Sequence, residues 1–209
     1  MKKKFTFLIF FISFTSISYS QTFDGGFKAG IVGSEVFGDR AGGLDKAGIH
    51  CGLFAGLPVN NNWKVQIEMM FVQKGSRKNN RPDIGDYRFY KLRLNYVEMP
   101  LMFIYNAHEY IHFELGLAFG VLTKTTDNEW DENGLLSGQI SFMPYEISGQ
   151  LGMYYVLTQN INIGIRLNNS LLPIRKYETK APLWISRLSF MRGQYSTAVL
   201  LGITYNFSE

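Results

Sequence analysis

The chain alternates apolar and polar residues in one segment after another, and this repetition limits the folds open to it. In residues 63–74, WKVQIEMMFVQK, large apolar side chains occupy every odd position from Trp63 to Phe71, and charged or amide side chains occupy the even positions from Lys64 to Glu68. Successive side chains of a β-strand point to opposite faces, so this segment has one apolar and one polar face. Soluble sandwiches and membrane barrels both use such strands, and the number and spacing of the repeats distinguish them.

Eight segments of this kind follow one another. They cover residues 27–34, 47–57, 63–74, 90–105, 110–122, 145–156, 161–171 and 194–207. Their connections are alternately short and long, with three short turns and four long loops. An even number of strands of about 9 to 11 residues, with short periplasmic turns and long external loops, is typical of bacterial outer-membrane barrels. The pattern predicts an all-β fold, an eight-stranded antiparallel transmembrane up-and-down β-barrel, and the alternative is a soluble lipocalin-like barrel with its apolar face inward.

The fourth segment changes phase along its length. Leu92, Leu94 and Tyr96 form an apolar face at its start, whereas from Met99 onward the odd-numbered residues form it. A β-bulge near Tyr96 shifts the alternation by one residue, and a single phase would point Glu98 at lipid. We therefore expect a bulge there, with the first half of the strand turning its apolar residues outward.

The first twenty residues have the features of a secretory signal peptide. Three lysines at positions 2–4 precede an apolar run over residues 5–14, and small residues occupy both cleavage-recognition positions before Gln21. We expect residues 1–20 to be a signal peptide and residues 21–209 to form the outer-membrane barrel domain. A retained membrane anchor is the alternative, but the apolar run is shorter than the ~20 residues that a bilayer requires.

Composition narrows the function classes. Removing residues 1–20 takes away three of the 21 Lys and Arg and leaves 18 against 17 Asp and Glu, so the charge points to no nucleic-acid partner. Cys51 is the only cysteine, which excludes an intramolecular disulfide and a cysteine-based zinc site. With 15% aromatic residues and 21 glycines, the chain fits the outer membrane of a Gram-negative bacterium, with its long loops extracellular. No cofactor or metal site is expected.

Several short motifs resemble the PorT-like outer-membrane β-barrel proteins of Bacteroidota. These are residues 66–68 (QIE) leading to residues 73–75 (QKG), then residues 94–101 (LNYVEMPL), then residues 114–116 (ELG), with Phe71 where tyrosine is common in the family. The resemblance covers essentially all of the chain after residue 20. It implies the barrel fold and the outer membrane rather than a task, and a role like that of the member linked to type IX secretion is a minor alternative.

The inward positions of the predicted strands collect charged side chains. An eight-stranded barrel has an interior just wide enough for side chains to fill, and buried carboxylates there need partners or shared protons. Glu68, Glu98, Glu114 and Arg166 fall at similar middle depths when counted from the short turns. We predict a polar lumen cluster of Glu68, Glu98, Glu114, Arg166, Lys28, Lys64, Arg93 and His112.

The preferred function is a non-enzymatic integral barrel with a structural or accessory role in the cell envelope, in a secretion or other envelope complex. Its expected partners are outer-membrane lipid and lipopolysaccharide, the barrel assembly machinery during biogenesis, and an envelope protein complex. A narrow gated pore or transporter, opened by rearranging the charge pairs, is the alternative. A lipid A-modifying enzyme is a weaker one, because no Ser lies two residues from a His on the same strand face.

Two loops are candidates for contacts outside the barrel. The basic residues of 74–93 are suited to the phosphates of lipopolysaccharide, although ordinary loop charge explains them too. Residues 174–190 are unusually apolar for an exposed loop, which indicates either extended strands or a partner-docking surface. The large apolar residues of this loop are Tyr177, Trp184, Ile185, Leu188 and Phe190.

Overall fold

The structure, a computed structural model, describes residues 23–38, 43–79, 85, 89–131, 134–135, 141–175 and 193–207. These residues form nine strands: β1 Asp24–Phe37, β2 Lys46–Pro58, β3 Trp63–Lys78, β4 Phe89–His108, β5 Ile111–Asp131, β6 Gly134–Leu135, β7 Tyr145–Val156, β8 Ile161–Ser170 and β9 Tyr195–Asn206. None of the described residues belongs to a helix long and apolar enough to cross a membrane. The predicted signal peptide, residues 1–20, lies outside the described residues.

The eight long strands close into one antiparallel ring. Each pairs with the next along the chain, and β1 pairs with β9 from Gly26 opposite Asn206 to Phe37 opposite Tyr195, which completes the circle. Among the described residues, the two-residue β6 pairs with the end of β5 alone. A closed ring leaves no unpaired edge in the wall, which is what a strand-built membrane span requires. The predicted eight-stranded antiparallel barrel is confirmed.

The outer face of the wall is apolar. Ile67 on β3, Leu101 on β4 and Leu117 on β5 expose 50%, 47% and 58% of their surface, as lipid-facing side chains do. Aromatic rings gather at the end that carries the short turns, where Trp63 and Tyr105 lie 4.8 Å apart between ring centroids. This end is periplasmic by the usual loop rule, so Trp63 belongs to the periplasmic aromatic belt.

The inner face pairs large side chains with glycines on the neighbouring strand. Gly164 lies opposite Tyr154 in the β7–β8 ladder, and Gly26 lies opposite Phe54 in the β1–β2 ladder. A Cβ atom at Gly164 would sit 2.5 Å from Cγ of Tyr154, and one at Gly26 would sit 2.5 Å from Cζ of Phe54. The same pairing occurs for Gly30 with His50, Gly52 with Met70 and Gly116 with Met102. The inward glycines therefore make room for the side chains that fill this narrow lumen.

The expected phase change on β4 is wrong. Leu92, Leu94, Tyr96 and Glu98 all point inward and are buried, so β4 alternates without interruption. The irregularity lies at the predicted height but on the partner strand, where Asn95 pairs with Lys124 and Tyr96 with Leu122. The extra residue is Thr123 of β5, whose hydroxyl donates to the carbonyl of Asn95 at 2.9 Å. The lumen is itself apolar at its extracellular end, so the apolar residues of this half of β4 face inward.

β3, β4 and β5 extend further at the extracellular end than predicted. β4 has 20 residues and β5 has 21, and they pair as far as Phe89 opposite Trp130. Residues 75–78 belong to β3, and residues 123–131, expected in a loop, belong to β5. The three strands therefore continue past the apolar band as a paired sheet.

Candidate functional site in the barrel lumen

A four-membered charge network crosses the lumen. The Nζ atom of Lys28 lies 2.9 Å from Oε1 of Glu68 and 2.9 Å from Oε1 of Glu114. The Nη1 and Nη2 atoms of Arg166 donate to the two carboxylate oxygens of Glu68 at 2.7 and 2.9 Å. Arg166 also binds Glu114, through Nε at 3.1 Å and through Nη2. Two cations and two carboxylates balance, and each side chain is almost fully buried. We call Lys28, Glu68, Glu114 and Arg166 the lower network.

The strand register brings these four residues together. Glu114 on β5 and Arg166 on β8 both pair across β7 with Gly152. A Cβ atom at Gly152 would lie 3.3 Å from Oε2 of Glu114. The lack of a side chain at Gly152 therefore leaves space for the ion pair between β5 and β8, the strands on either side of β7. Lys28 reaches in from β1, where its amine also lies 4.8 Å from the ring centroid of Tyr154. Two of the contacts cross the ring, from Lys28 on β1 to Glu114 on β5 and from Arg166 on β8 to Glu68 on β3, and the other two each span one intervening strand.

A second network lies nearer the extracellular end. Lys74 of β3 is fully buried, with its amine 2.7 Å from Oε1 of Glu98 and 2.7 Å from Oε1 of Glu146. The same amine donates to Oδ1 of Asn168 at 2.9 Å, and Nδ2 of Asn168 donates to Oε2 of Glu98 at 3.1 Å. Here one cation serves two carboxylates. We call Lys74, Glu98, Glu146 and Asn168 the upper network.

Gln150 joins the two networks. Its Oε1 accepts from Nη1 of Arg166 at 3.2 Å, and its Nε2 donates to Oε2 of Glu98 at 3.1 Å. Because an amide has both a donor and an acceptor end, one residue of β7 links the guanidinium below to the carboxylate above. The polar core is thus continuous along the lumen rather than two isolated ion pairs.

The extracellular mouth is filled by apolar side chains. Val36, Tyr90, Leu92, Leu94, Tyr96 and Ile174 form one buried cluster, against which Leu122 and Phe142 pack. Ile174 comes from the segment after β8 and is tied down by backbone hydrogen bonds, accepting from Met143 N and donating to Gln194 O at 2.8 Å each. We call these six buried residues the apolar plug. It covers the upper network from the extracellular side.

The periplasmic mouth is open and polar. A cavity of about 290 Å³ enters the barrel there, and its walls include Asp24, Lys64, His112 and Tyr154. Lys64 and Asp24 form a loose ion pair, with Nζ and Oδ2 3.5 Å apart. The cavity ends at Glu114 of the lower network. We call it the periplasmic vestibule.

The outer membrane protein beta-barrel domain family matches residues 12–175, well over half of the sequence. The chain belongs to this family. It is therefore an outer-membrane protein of a Gram-negative bacterium, and its strands cross that membrane.

Solved structures with the same kind of fold are distant from this outer-membrane barrel. The attachment invasion locus protein Ail of Yersinia pestis is 14% identical, with a TM-score of 0.47, over 88% of this chain and 98% of that chain. Neisserial surface protein A is 15% identical with a TM-score of 0.44, over 88% and 97%. OprG of Pseudomonas aeruginosa is 12% identical with a TM-score of 0.43, over 90% and 98%. The comparison with curated proteins gives no match. Likenesses this low say nothing of what the outer-membrane barrel does.

The predicted cluster residues of this outer-membrane barrel separate into four places. Lys28, Glu68, Glu114 and Arg166 meet in the lower network, Glu98 lies in the upper network, and Lys64 and His112 line the periplasmic vestibule. Arg93 was wrongly assigned to the lumen, because the uninterrupted phase of β4 turns it to the exposed outer face. The proposed docking-loop residues Tyr177, Trp184, Ile185, Leu188 and Phe190 lie outside the described residues.

Lys74 and Glu146 are the central residues that sequence reasoning missed. Lys74 was assigned to the basic loop because β3 was expected to end there, although its even number continues the inward face of that strand. Glu146 shares the inward parity of Gln150 on β7 and was left out of the predicted cluster. Strict parity carried to the end of each strand was the signal that identifies both. Among the described residues, no group of three or more His, Cys, Asp or Glu side chains is arranged to hold a metal ion.

Proposed function

We propose that this outer-membrane β-barrel is a closed, non-enzymatic barrel with a structural or accessory role in an envelope complex. The observation that supports a closed barrel is the continuous run of hydrogen bonds and ion pairs from Arg166 through Gln150 and Glu98 to Lys74, capped by the apolar plug. An ion that passed along the lumen would have to part buried partners, and breaking one such pair costs several kcal/mol. A lumen held shut in this way favours a role for the surface of the barrel rather than for its interior.

The finer proposal is membership of the PorT-like group and a place in a secretion or other envelope complex. Its support is the sequence resemblance carried by residues 66–75 and 94–101. In the structure these two segments are neighbours, since β3 pairs with β4 from Trp63 opposite Tyr105 to Lys78 opposite Tyr90. Residues that recur in the resemblance, among them Glu68, Lys74 and Glu98, therefore belong to the charge networks. The resemblance thus concerns how the lumen is filled, and the partner itself is sought by experiment.

A narrow gated pore is the second candidate. The periplasmic vestibule favours it, because this cavity connects the periplasmic side to Glu114 inside the barrel. The apolar plug opposes it, because the plug separates the charge networks from the extracellular side.

Purification from mild detergent extracts of outer membrane tests the accessory role. A tagged full-length chain expressed at its native level is expected to retain a protein partner in fixed ratio through two successive affinity steps. The matched control is an unrelated tagged outer-membrane barrel of similar size, treated identically. Recovery of the barrel alone, after chemical cross-linking in intact cells as well, would contradict the accessory role and leave a stand-alone structural barrel.

A further inference from the structure

The outer face of β3, β4 and β5 changes from apolar to polar at one height along the barrel axis. Below this height the outward residues are apolar, ending at Phe71 on β3 and beginning at Val97 on β4. The next outward positions carry amides, and Nε2 of Gln73 donates to Oδ1 of Asn95 at 3.1 Å. This amide pair marks the extracellular border of the apolar band. Outward residues beyond it lie at the level where lipid headgroups begin.

Four basic residues lie on the outward face at and beyond this border. Arg77 of β3 stands directly opposite Lys91 of β4, Arg93 is the next outward residue of β4 toward the band, and Lys124 of β5 stands opposite Asn95. Arg77, Arg93 and Lys124 are exposed, and Lys91 is half-buried. We call Arg77, Lys91, Arg93 and Lys124 the basic ledge.

Among the side chains that the structure describes, the basic ledge forms no ion pair with a carboxylate. Nε of Arg77 donates to the amide oxygen of Asn79 at 2.8 Å, and no described carboxylate forms a salt bridge with any of the four. Directly opposite residues of an antiparallel pair have Cβ atoms about 4.5 to 5.5 Å apart, where like charges repel. Arg77 opposite Lys91 therefore disfavours the folded wall unless an anion lies between them.

We propose that the basic ledge binds the phosphate groups of a phosphorylated glycolipid in the outer leaflet. Guanidinium groups bind phosphate through paired hydrogen bonds, and amines add point charges. The height of the ledge selects a lipid rather than a soluble anion, because acyl chains would then lie on Phe71 and Val97 directly below. Charge complementarity above and apolar contact below are both needed. This inference does not rest on the proposed function, since a closed or a conducting barrel would carry the same outer face.

Lipid titration tests the ledge. The purified full-length barrel in detergent is titrated with bisphosphorylated lipid A and with the same lipid A freed of both phosphates, and binding is read by native mass spectrometry. The wild type is expected to bind the phosphorylated form about tenfold more tightly. The combined variant Arg77→Gln, Lys91→Gln, Arg93→Gln is expected to lose that preference. Equal binding of the two lipids by the wild type, or an unchanged preference in the variant, overturns the proposal.

A matched variant and a competitor make the result specific. Lys78→Gln removes one positive charge at the same height but from the other face of β3, and it is expected to keep the preference. Arg77→Lys with Arg93→Lys keeps the charges and is expected to keep most of it. Inorganic phosphate in excess is expected to leave lipid binding in place, and full displacement would mean a site for free anions and overturn the lipid assignment. Without lipid, the combined variant should unfold at or above the wild-type temperature, because removing opposed like charges favours the folded wall.

Discussion

At the scale of single residues, Arg166 has the largest structural role in the lumen. Its guanidinium binds Glu68 through two hydrogen bonds and Glu114 through two more, and it also donates to Gln150. No other described side chain contacts Glu68 and Glu114 of the lower network as well as Gln150, which links the lower network to the upper network. The planar, five-donor shape of Arg suits this position, which Lys cannot reproduce.

Replacing Arg166 by Met should lower the free energy of unfolding by about 3 to 5 kcal/mol, because Glu68 and Glu114 would then share Lys28 alone. Urea titration in lipid vesicles, followed by tryptophan fluorescence, measures the change. The matched control is Arg93→Met, which removes the same group from the exposed outer face and should change stability by about 0.5 kcal/mol or less. Equal losses in the two variants would mean that Arg166 is not a structural ion-pair partner.

Lys74 and Glu146 should be energetically coupled, so that a second substitution at Glu146 partly offsets the loss of Lys74. Lys74→Met leaves Glu98 and Glu146 without their shared cation and should destabilise the barrel by about 3 to 5 kcal/mol. Adding Glu146→Gln removes one of the two charges and should restore part of that loss, since the amide can donate to the remaining carboxylate. Comparison of the two single variants and the double variant gives the coupling energy. A double variant no more stable than Lys74→Met would contradict the upper network.

The inward position of each central residue followed from parity alone, whereas the partner of each did not. Lys28, Glu68, Glu114 and Arg166 were placed inside because the alternation of their strands is regular. Which cation meets which carboxylate depends on the stagger between strands, and a sequence contains no direct record of stagger. Lys74 is the last residue of the predicted third strand and also the first of the predicted basic loop, whereas β3 continues to Lys78 and keeps Lys74 on its inward face.

At the scale of the strands, the wall depends on small residues facing large ones. Eight strands enclose little space, so a bulky inward side chain on one strand needs a glycine on the next. The pairing of Tyr154 with Gly164 and of Phe54 with Gly26 satisfies this requirement directly. The high glycine content of the sequence is typical of an exported barrel, and the register gives it a steric reason.

Gly164→Ala should therefore lower stability by about 1 to 3 kcal/mol, because the added methyl group would overlap both the carbonyl oxygen of Met153 and the ring of Tyr154. The control is Gly149→Ala on β7, where the nearest atom to the added methyl group, Cδ2 of Leu171, would lie at an ordinary van der Waals distance of 3.5 Å. Thermal unfolding monitored by circular dichroism compares the two variants with the wild type. A loss at Gly149 as large as that at Gly164 would show that crowding in the lumen is not the cause.

β4 shows where an alternation pattern stops being informative. Periodicity identifies two faces of a strand but does not say which face is inside, and the assignment relied on the outer face being the apolar one. At the extracellular end the apolar face of β4 is instead the inner one, because Leu92 and Leu94 belong to the apolar plug. The sequence located the irregularity near Tyr96 correctly and assigned it to the wrong strand.

At the scale of the whole molecule, the barrel was predictable because its constraints are global and redundant. Eight amphipathic segments, strands of membrane-spanning length and alternating loop lengths each limited the topology, so errors at individual strand ends did not change it. The closing of the lumen was less predictable, since the apolar plug draws Val36, Tyr90 and Ile174 from three separate parts of the chain. In the described residues, the periplasmic vestibule opens one end of the lumen and the apolar plug fills the other.

Current through single barrels in a planar lipid bilayer tests the closed lumen most directly. The purified full-length protein is inserted at neutral pH in roughly 1 M salt, where the Debye length is roughly 3 Å and surface-charge effects are small. The wild type is expected to give no conductance steps. Insertion is verified by heat-modifiable migration of protein recovered from the same vesicles. Reproducible steps from the wild type that change in size or frequency in Arg166→Ala would show that ions pass the charge networks, and would contradict the closed barrel.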